Sequence, residues 1–122
     1  MIYTERLSEL ESALNRLKEA MSEAKNQLDK DGAIQRFEFV FELVWKTIKD
    51  YAEDRGRLDA VSPKDAFRVA ADLGLIENLE AWFEYLKNRN TSVHLYDEEK
   101  ANEIFENIPD FINAVEALIS KF

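Results

Sequence analysis

The sequence predicts an all-α protein: an antiparallel up-and-down four-helix bundle with one extra short helix, in a single domain spanning residues 1–122. Three observations lead there. Apolar residues recur at steps of three and four along most of the chain, the period of a helix with one buried stripe. Three Gly and two Pro in 122 residues leave too few turn signals for a many-stranded sandwich or barrel. A content of 46% hydrophobic and 34% charged residues is that of a folded domain rather than a disordered chain.

The elements follow in order. From about Thr4 to Leu28, the residues Leu7, Leu10, Leu14, Leu17, Met21, Ala24 and Leu28 form an a/d seam, so one face meets a partner helix. Asp31-Gly32 is expected to break this helix. A second runs from about Ala33 to Asp54 and carries two apolar stripes. One holds Ile34, Phe37, Phe41, Val44, Ile48 and Tyr51; the other holds Phe39, Val40, Leu43 and Thr47. Burial on two sides fits a central helix, or one that also meets a second subunit, and Gly56 suits its C-terminal cap. Ser62-Pro63-Lys64-Asp65 is a start signal, with Ser as N-cap, Pro in the first helical position and Asp at the capping-box position. That helix is short and stops at Gly74. The next begins near Asn78, turns Leu79, Trp82, Phe83 and Leu86 inward and ends near Arg89 or Asn90. The last runs from about Asp97 to Ile119, with Pro109 removing one backbone donor and expected to kink it. Trp45, Trp82 and the Phe residues read as core rather than as a base-stacking platform.

Charge narrows the function. Net charge is −9, from 16 basic and 25 acidic side chains. Residues 1–30 and 31–70 each carry −1, whereas residues 71–122 carry 4 basic and 11 acidic groups. Such a chain has no broad electrostatic footprint for nucleic acid. With no Cys there is no disulfide, thiolate metal site or cysteine nucleophile. No apolar run approaches the roughly 18 residues of a spanning helix, and Met1–Glu11 is too charged for a secretory signal. A cytoplasmic protein without membrane association, cofactor or metal is the expectation.

The segment suited to chemistry is Arg89-Asn90-Thr91-Ser92-Val93-His94-Leu95-Tyr96-Asp97, read as a loop between the last two long helices. It contains the one histidine of the chain. Imidazole moves protons in both directions near neutrality, and guanidinium presents a planar fork of donors to phosphate oxygens. Together they could cleave RNA through its own 2′-hydroxyl, His94 transferring a proton and Arg89 holding charge on the phosphate. A two-fold dimer joining both loops in one cleft would supply the second acid–base group. The same residues would also serve as a polar helix-end segment that only caps its neighbours. Asp97-Glu98-Glu99 reads as an acidic first turn favoured by the helix dipole rather than as a metal site.

Four blocks in order carry a family resemblance: Asp31-Gly32-Ala33-Ile34-Gln35-Arg36-Phe37-Glu38-Phe39, Phe41-Glu42-Leu43-Val44-Trp45-Lys46, Ser62-Pro63-Lys64-Asp65-Ala66-Phe67-Arg68, and Arg89-Asn90-Thr91-Ser92-Val93-His94-Leu95-Tyr96. The chain resembles the HEPN-type nucleotidyltransferase substrate-binding proteins, which are similar to the HEPN toxin partners of minimal nucleotidyltransferases. The resemblance spans about Leu28 to Leu118. It implies a homodimer paired with a separate small nucleotidyltransferase, in a toxin–antitoxin-like system. In the related pairs the HEPN subunit is a metal-independent endoribonuclease acting on RNA at the dimer cleft. Its Arg–four residues–His motif matches Arg89 and His94, and the polar residue after the Arg matches Asn90. The resemblance further implies silencing by attachment of AMP to the Tyr two positions after the His, here Tyr96.

Overall fold

A computed structural model describes residues 2–122; Met1, the first residue of the segment weighed as a secretory signal, lies outside them. The described residues form five α-helices and no strand: α1 (Ile2–Glu23), α2 (Gln27–Asp54), α3 (Pro63–Asp72), α4 (Leu79–Thr91) and α5 (Glu98–Ile119), with a 3-10 turn at Ser92–His94. The all-α expectation holds.

Two boundaries correct the sequence reading. α1 ends at Glu23, and Leu28 belongs to α2, where it is 80% exposed. The a/d rhythm ran on across a break that lies at 24–26. Asn26 supplies that break, its backbone extended and its side chain accepting from the Asp29 amide at 2.9 Å. Asp31-Gly32 does not interrupt the helix, since both lie inside α2. A lone Gly in a helix interior weakens it by about 1 kcal/mol, which the packing of a 28-residue helix absorbs. The other signals act as read. Ser62 Oγ accepts from the Asp65 amide, and the turns after α2 and α3 are made by Gly56 and Gly74 at φ of +78° and +75°, conformations that favour glycine.

α2 is the central element, touching each of the other four α-helices. Ala33, Ile34, Phe37, Val40, Phe41, Leu43, Val44, Thr47, Ile48 and Ala52 are all buried, so both of its stripes are used within one chain. Phe39 departs from that pattern and stands 61% exposed. Directions follow from paired contacts. Arg6 near the start of α1 pairs with Asp50 near the end of α2, so these helices oppose. Lys30 meets the Phe105 ring, Phe37 meets Phe111, and Tyr51 meets Phe122, so α2 and α5 run the same way. Between them lies a chain of edge-on and tilted rings, Phe41–Phe67–Trp82–Tyr85–Phe111, at centroid separations of 5.7, 5.2, 5.2 and 5.3 Å. Trp82 and the rings of this chain are core, as read. Trp45 is half-buried and its indole donates to Glu42 at 3.0 Å.

Candidate functional site

The segment from Arg89 to Tyr96 is helical at its start and a tight connection after it, Leu95 and Tyr96 forming a turn. Arg89, Asn90 and Thr91 are the last turn of α4, and Ser92–His94 continues it as a 3-10 turn before Asp97 caps α5. Residues 89–97 hold no Gly or Pro, so α4 tightens into a 3-10 turn rather than stopping abruptly. Ser92 and Thr91 return their hydroxyls to carbonyls one turn back. The single Ser92 hydroxyl proton is shared between the Arg89 carbonyl at 2.7 Å and Glu38 Oε2 at 2.9 Å, and Thr91 Oγ1 donates to the Lys87 carbonyl at 3.1 Å. The His94 carbonyl accepts from the Asp97 amide at 2.9 Å, closing the turn into α5.

Two side chains of α2 anchor this turn, and sequence reasoning missed both. Glu38 Oε2 accepts from Ser92 Oγ at 2.9 Å and lies 3.3 Å from Arg89 Nη1. Glu42 Oε1 stands 3.9 Å from Arg89 Nε, and that nitrogen is buried with no hydrogen bond of its own. The guanidinium therefore sits between two carboxylates at ion-pair distance. Ser92 is 2% exposed, so its hydroxyl is satisfied by these two acceptors rather than by water. Glu38 and Glu42 lie about fifty positions upstream of Arg89, one helical turn apart on one face of α2. That spacing would have marked them as neighbours of each other, but not of Arg89.

The His94 imidazole and the Tyr96 ring meet edge-on, with Nδ1 3.2 Å from the Tyr96 hydroxyl. Tyr96 is 86% exposed. This is the geometry in which an imidazole with an unprotonated Nδ1 could take the proton of an attacking phenol. Asn90, the third expected site residue, is exposed on α4, and among the described residues no side-chain hydrogen bond or ion pair joins it to Arg89, His94 or Tyr96. Arg89 and His94 occupy one continuous turn with different partners. Arg89 faces α2, and His94 faces Tyr96.

Asp97 accepts from the Lys100 amide at 3.2 Å as the α5 cap, with Glu98 and Glu99 in the first turn. That is the dipole-compensating role read from the sequence. Among the described residues no helix is long and apolar enough to cross a membrane.

The chain as a whole is similar to known proteins. Residues 5–122 match the family described as nucleotidyltransferase substrate binding protein like. A curated relative from Haemophilus influenzae, named probable ribonuclease HepT, is 40% identical over 85 residues, or 66% of this chain. The aligned part is 58% of that relative's length. A crystal structure of a Thermus thermophilus protein superimposes with a TM-score of 0.85 at 34% identity, covering 92% of this chain and 97% of that one. A Haemophilus influenzae structure, described as revealing the fold of a substrate binding domain of a nucleotidyltransferase, gives a TM-score of 0.82 at 29% identity, over 93% and 96%. The chain, with its acid-clamped Arg89 and outward Tyr96, belongs to the nucleotidyltransferase substrate binding protein like family.

Proposed function

We propose that this chain is a HEPN-type dimeric subunit that pairs with a small nucleotidyltransferase and serves as its substrate partner. The observation that carries the reading is Tyr96, 86% exposed with its hydroxyl 3.2 Å from His94 Nδ1. A transferase must bring its nucleoside triphosphate to an acceptor that protrudes, and this side chain does. The phenol oxygen would form the new bond to the α-phosphorus as pyrophosphate leaves, its proton passing to His94. AMP is the group that the family resemblance implies. Incubation of the chain with its transferase and ATP should add one AMP per subunit by intact mass, and Tyr96→Phe should abolish the addition. Failure of the wild-type chain to form a complex with the transferase at micromolar concentration would overturn the pairing itself.

A second reading is a metal-independent endoribonuclease, favoured by Arg89 and His94 lying in one turn and by the relative named as a ribonuclease. Here the RNA 2′-hydroxyl attacks the adjacent phosphorus and loses its proton to one imidazole. A second His94 across a dimer cleft returns a proton to the departing 5′-oxygen, and Arg89, with Asn90 beside it, steadies the phosphate. The internal clamp tells against this state in the free subunit, because Glu38 and Glu42 already neutralise Arg89. RNA cleavage by wild type that is lost in His94→Ala would establish it. Equal growth of cells expressing the two, with no cleavage by the purified dimer, would exclude it.

A further inference from the structure

The chain has seven arginines, and among the described residues five are engaged. Arg6, Arg57, Arg68 and Arg89 pair with carboxylates, and Arg55 lies on the Tyr51 ring. Arg16 and Arg36 have no such partner, although the protein carries 25 acidic side chains. Both are exposed and both line the same groove between α1 and α2, a space of about 690 Å³ that continues toward the start of α2. Ser12, Ala13, Gln35 and Phe39 complete its wall, Gly32 lies on α2 one turn before Arg36, and Glu9 is the one acidic residue of this section. This section therefore carries two cations against one acid in a chain of −9, while its continuation toward the start of α2 adds Lys25 against Glu19, Glu23 and Asp29.

Gly32 supplies an independent observation. It sits inside α2, where glycine weakens a helix, and a Cβ built on it meets nothing within 4 Å. Nothing in this chain therefore requires glycine there, whereas a molecule lying against the backbone would. Phe39, 61% exposed, offers an aromatic face two turns along the same helix. Two unpaired guanidiniums suit phosphate oxygens, an exposed ring suits a planar base, and the volume falls in the range of small-ligand sites rather than of an extended strand.

We infer that the α1–α2 groove binds a free nucleotide, with its phosphates between Arg16 and Arg36, its base on Phe39 and its body against Gly32. None of the groove residues belongs to the Arg89–Tyr96 turn, so the site stands apart from the function proposed above. Isothermal titration of the full chain with ATP, and separately with a twelve-nucleotide single-stranded RNA, tests it. ATP should bind saturably, and Arg16→Ala/Arg36→Ala should weaken binding at least tenfold. Gly32→Ala should raise Tm by roughly 2–5 °C through helix propensity while weakening ATP binding. This combination separates a blocked site from a damaged fold. Tyr96→Phe should leave ATP affinity unchanged, so loss of nucleotide transfer and loss of nucleotide binding are read independently. No saturable ATP binding at millimolar ligand overturns the inference. So does binding of the RNA alone, or ATP binding indifferent to both groove variants. Dimer dissociation in those variants with no effect of ATP would equally overturn it, by assigning the groove to a second copy.

Discussion

One oxygen of the Glu38 carboxylate accepts from Ser92 Oγ and stands at ion-pair distance from Arg89 Nη1. One is a buried hydroxyl and the other a charge, so removing the carboxylate affects both position and electrostatics. Glu38→Ala should cost about 1–2 kcal/mol in urea denaturation, a value discounted for the partial exposure of the pair. Amide exchange should accelerate at Thr91 and Ser92 but not at mid-α2. Tyr85 is a second informative residue. Burial against Trp82 and Phe111, with Asp110 nearby, pushes its phenol above the ordinary value of 10.0. Folding therefore favours the protonated form: below pH 10 both states hold the proton and stability is unaffected. As pH rises past 10 the unfolded chain ionises first, so stability falls. Tyr85→Phe should flatten that alkaline decline and change little at pH 7, as thermal melts across pH 8–11 would show. At this scale the sequence exposed the chemistry of Arg89, His94 and Tyr96 but not their company. Glu38 and Glu42 are ordinary helix-surface acids until the fold brings α4 beside them.

Among the elements, α2 shows what periodicity resolves and what it does not. Its two stripes are visible because Phe37, Phe41, Val44 and Ile48 return every three or four positions, and burial on both sides follows from them. Its start was hidden because Leu28 fell in the register of α1 by coincidence, while Asn26 with Asp29 three places on formed the real cap. A capping pair therefore outweighs one more in-phase leucine, and a single Gly does not end a long helix. α5 offers the complementary case. It continues through Pro109, which is exposed and leaves the Phe105 carbonyl without its usual amide donor. Pro109→Ala should restore that donor and raise stability by about 1–3 kcal/mol, measured as an upward shift of the urea midpoint with an unchanged slope.

For the whole molecule, the excess of acid in residues 71–122 is arranged rather than scattered. Glu99, Glu103, Glu106 and Asp110 recur at helical spacing along α5 and are all exposed, forming one acidic stripe that begins beside the Tyr96 turn. A basic surface is its natural complement. Association with the transferase should therefore weaken as salt rises from 50 to 500 mM, and Glu103→Lys/Glu106→Lys should slow association at low salt. Surface plasmon resonance would resolve both. The sequence located this charge in the last 52 residues, and only the helix phase turned it into a face. The α1–α2 groove was legible in neither way, because its arginines matter through the partners they lack.

The clamp on Arg89 has a consequence for any anion that approaches this turn. The guanidinium is already provided with counter-ions, so an incoming phosphate must exchange with Glu38 and Glu42 rather than fill an empty place. Exchange discriminates by charge density: a weak or singly charged anion loses to two tethered carboxylates, while a multiply charged one can win. Ser92 meets Glu38 and the Arg89 carbonyl through its own hydroxyl, contacts that do not involve the guanidinium. If Arg89 meets phosphate as proposed, the acids of α2 would set the threshold of that exchange.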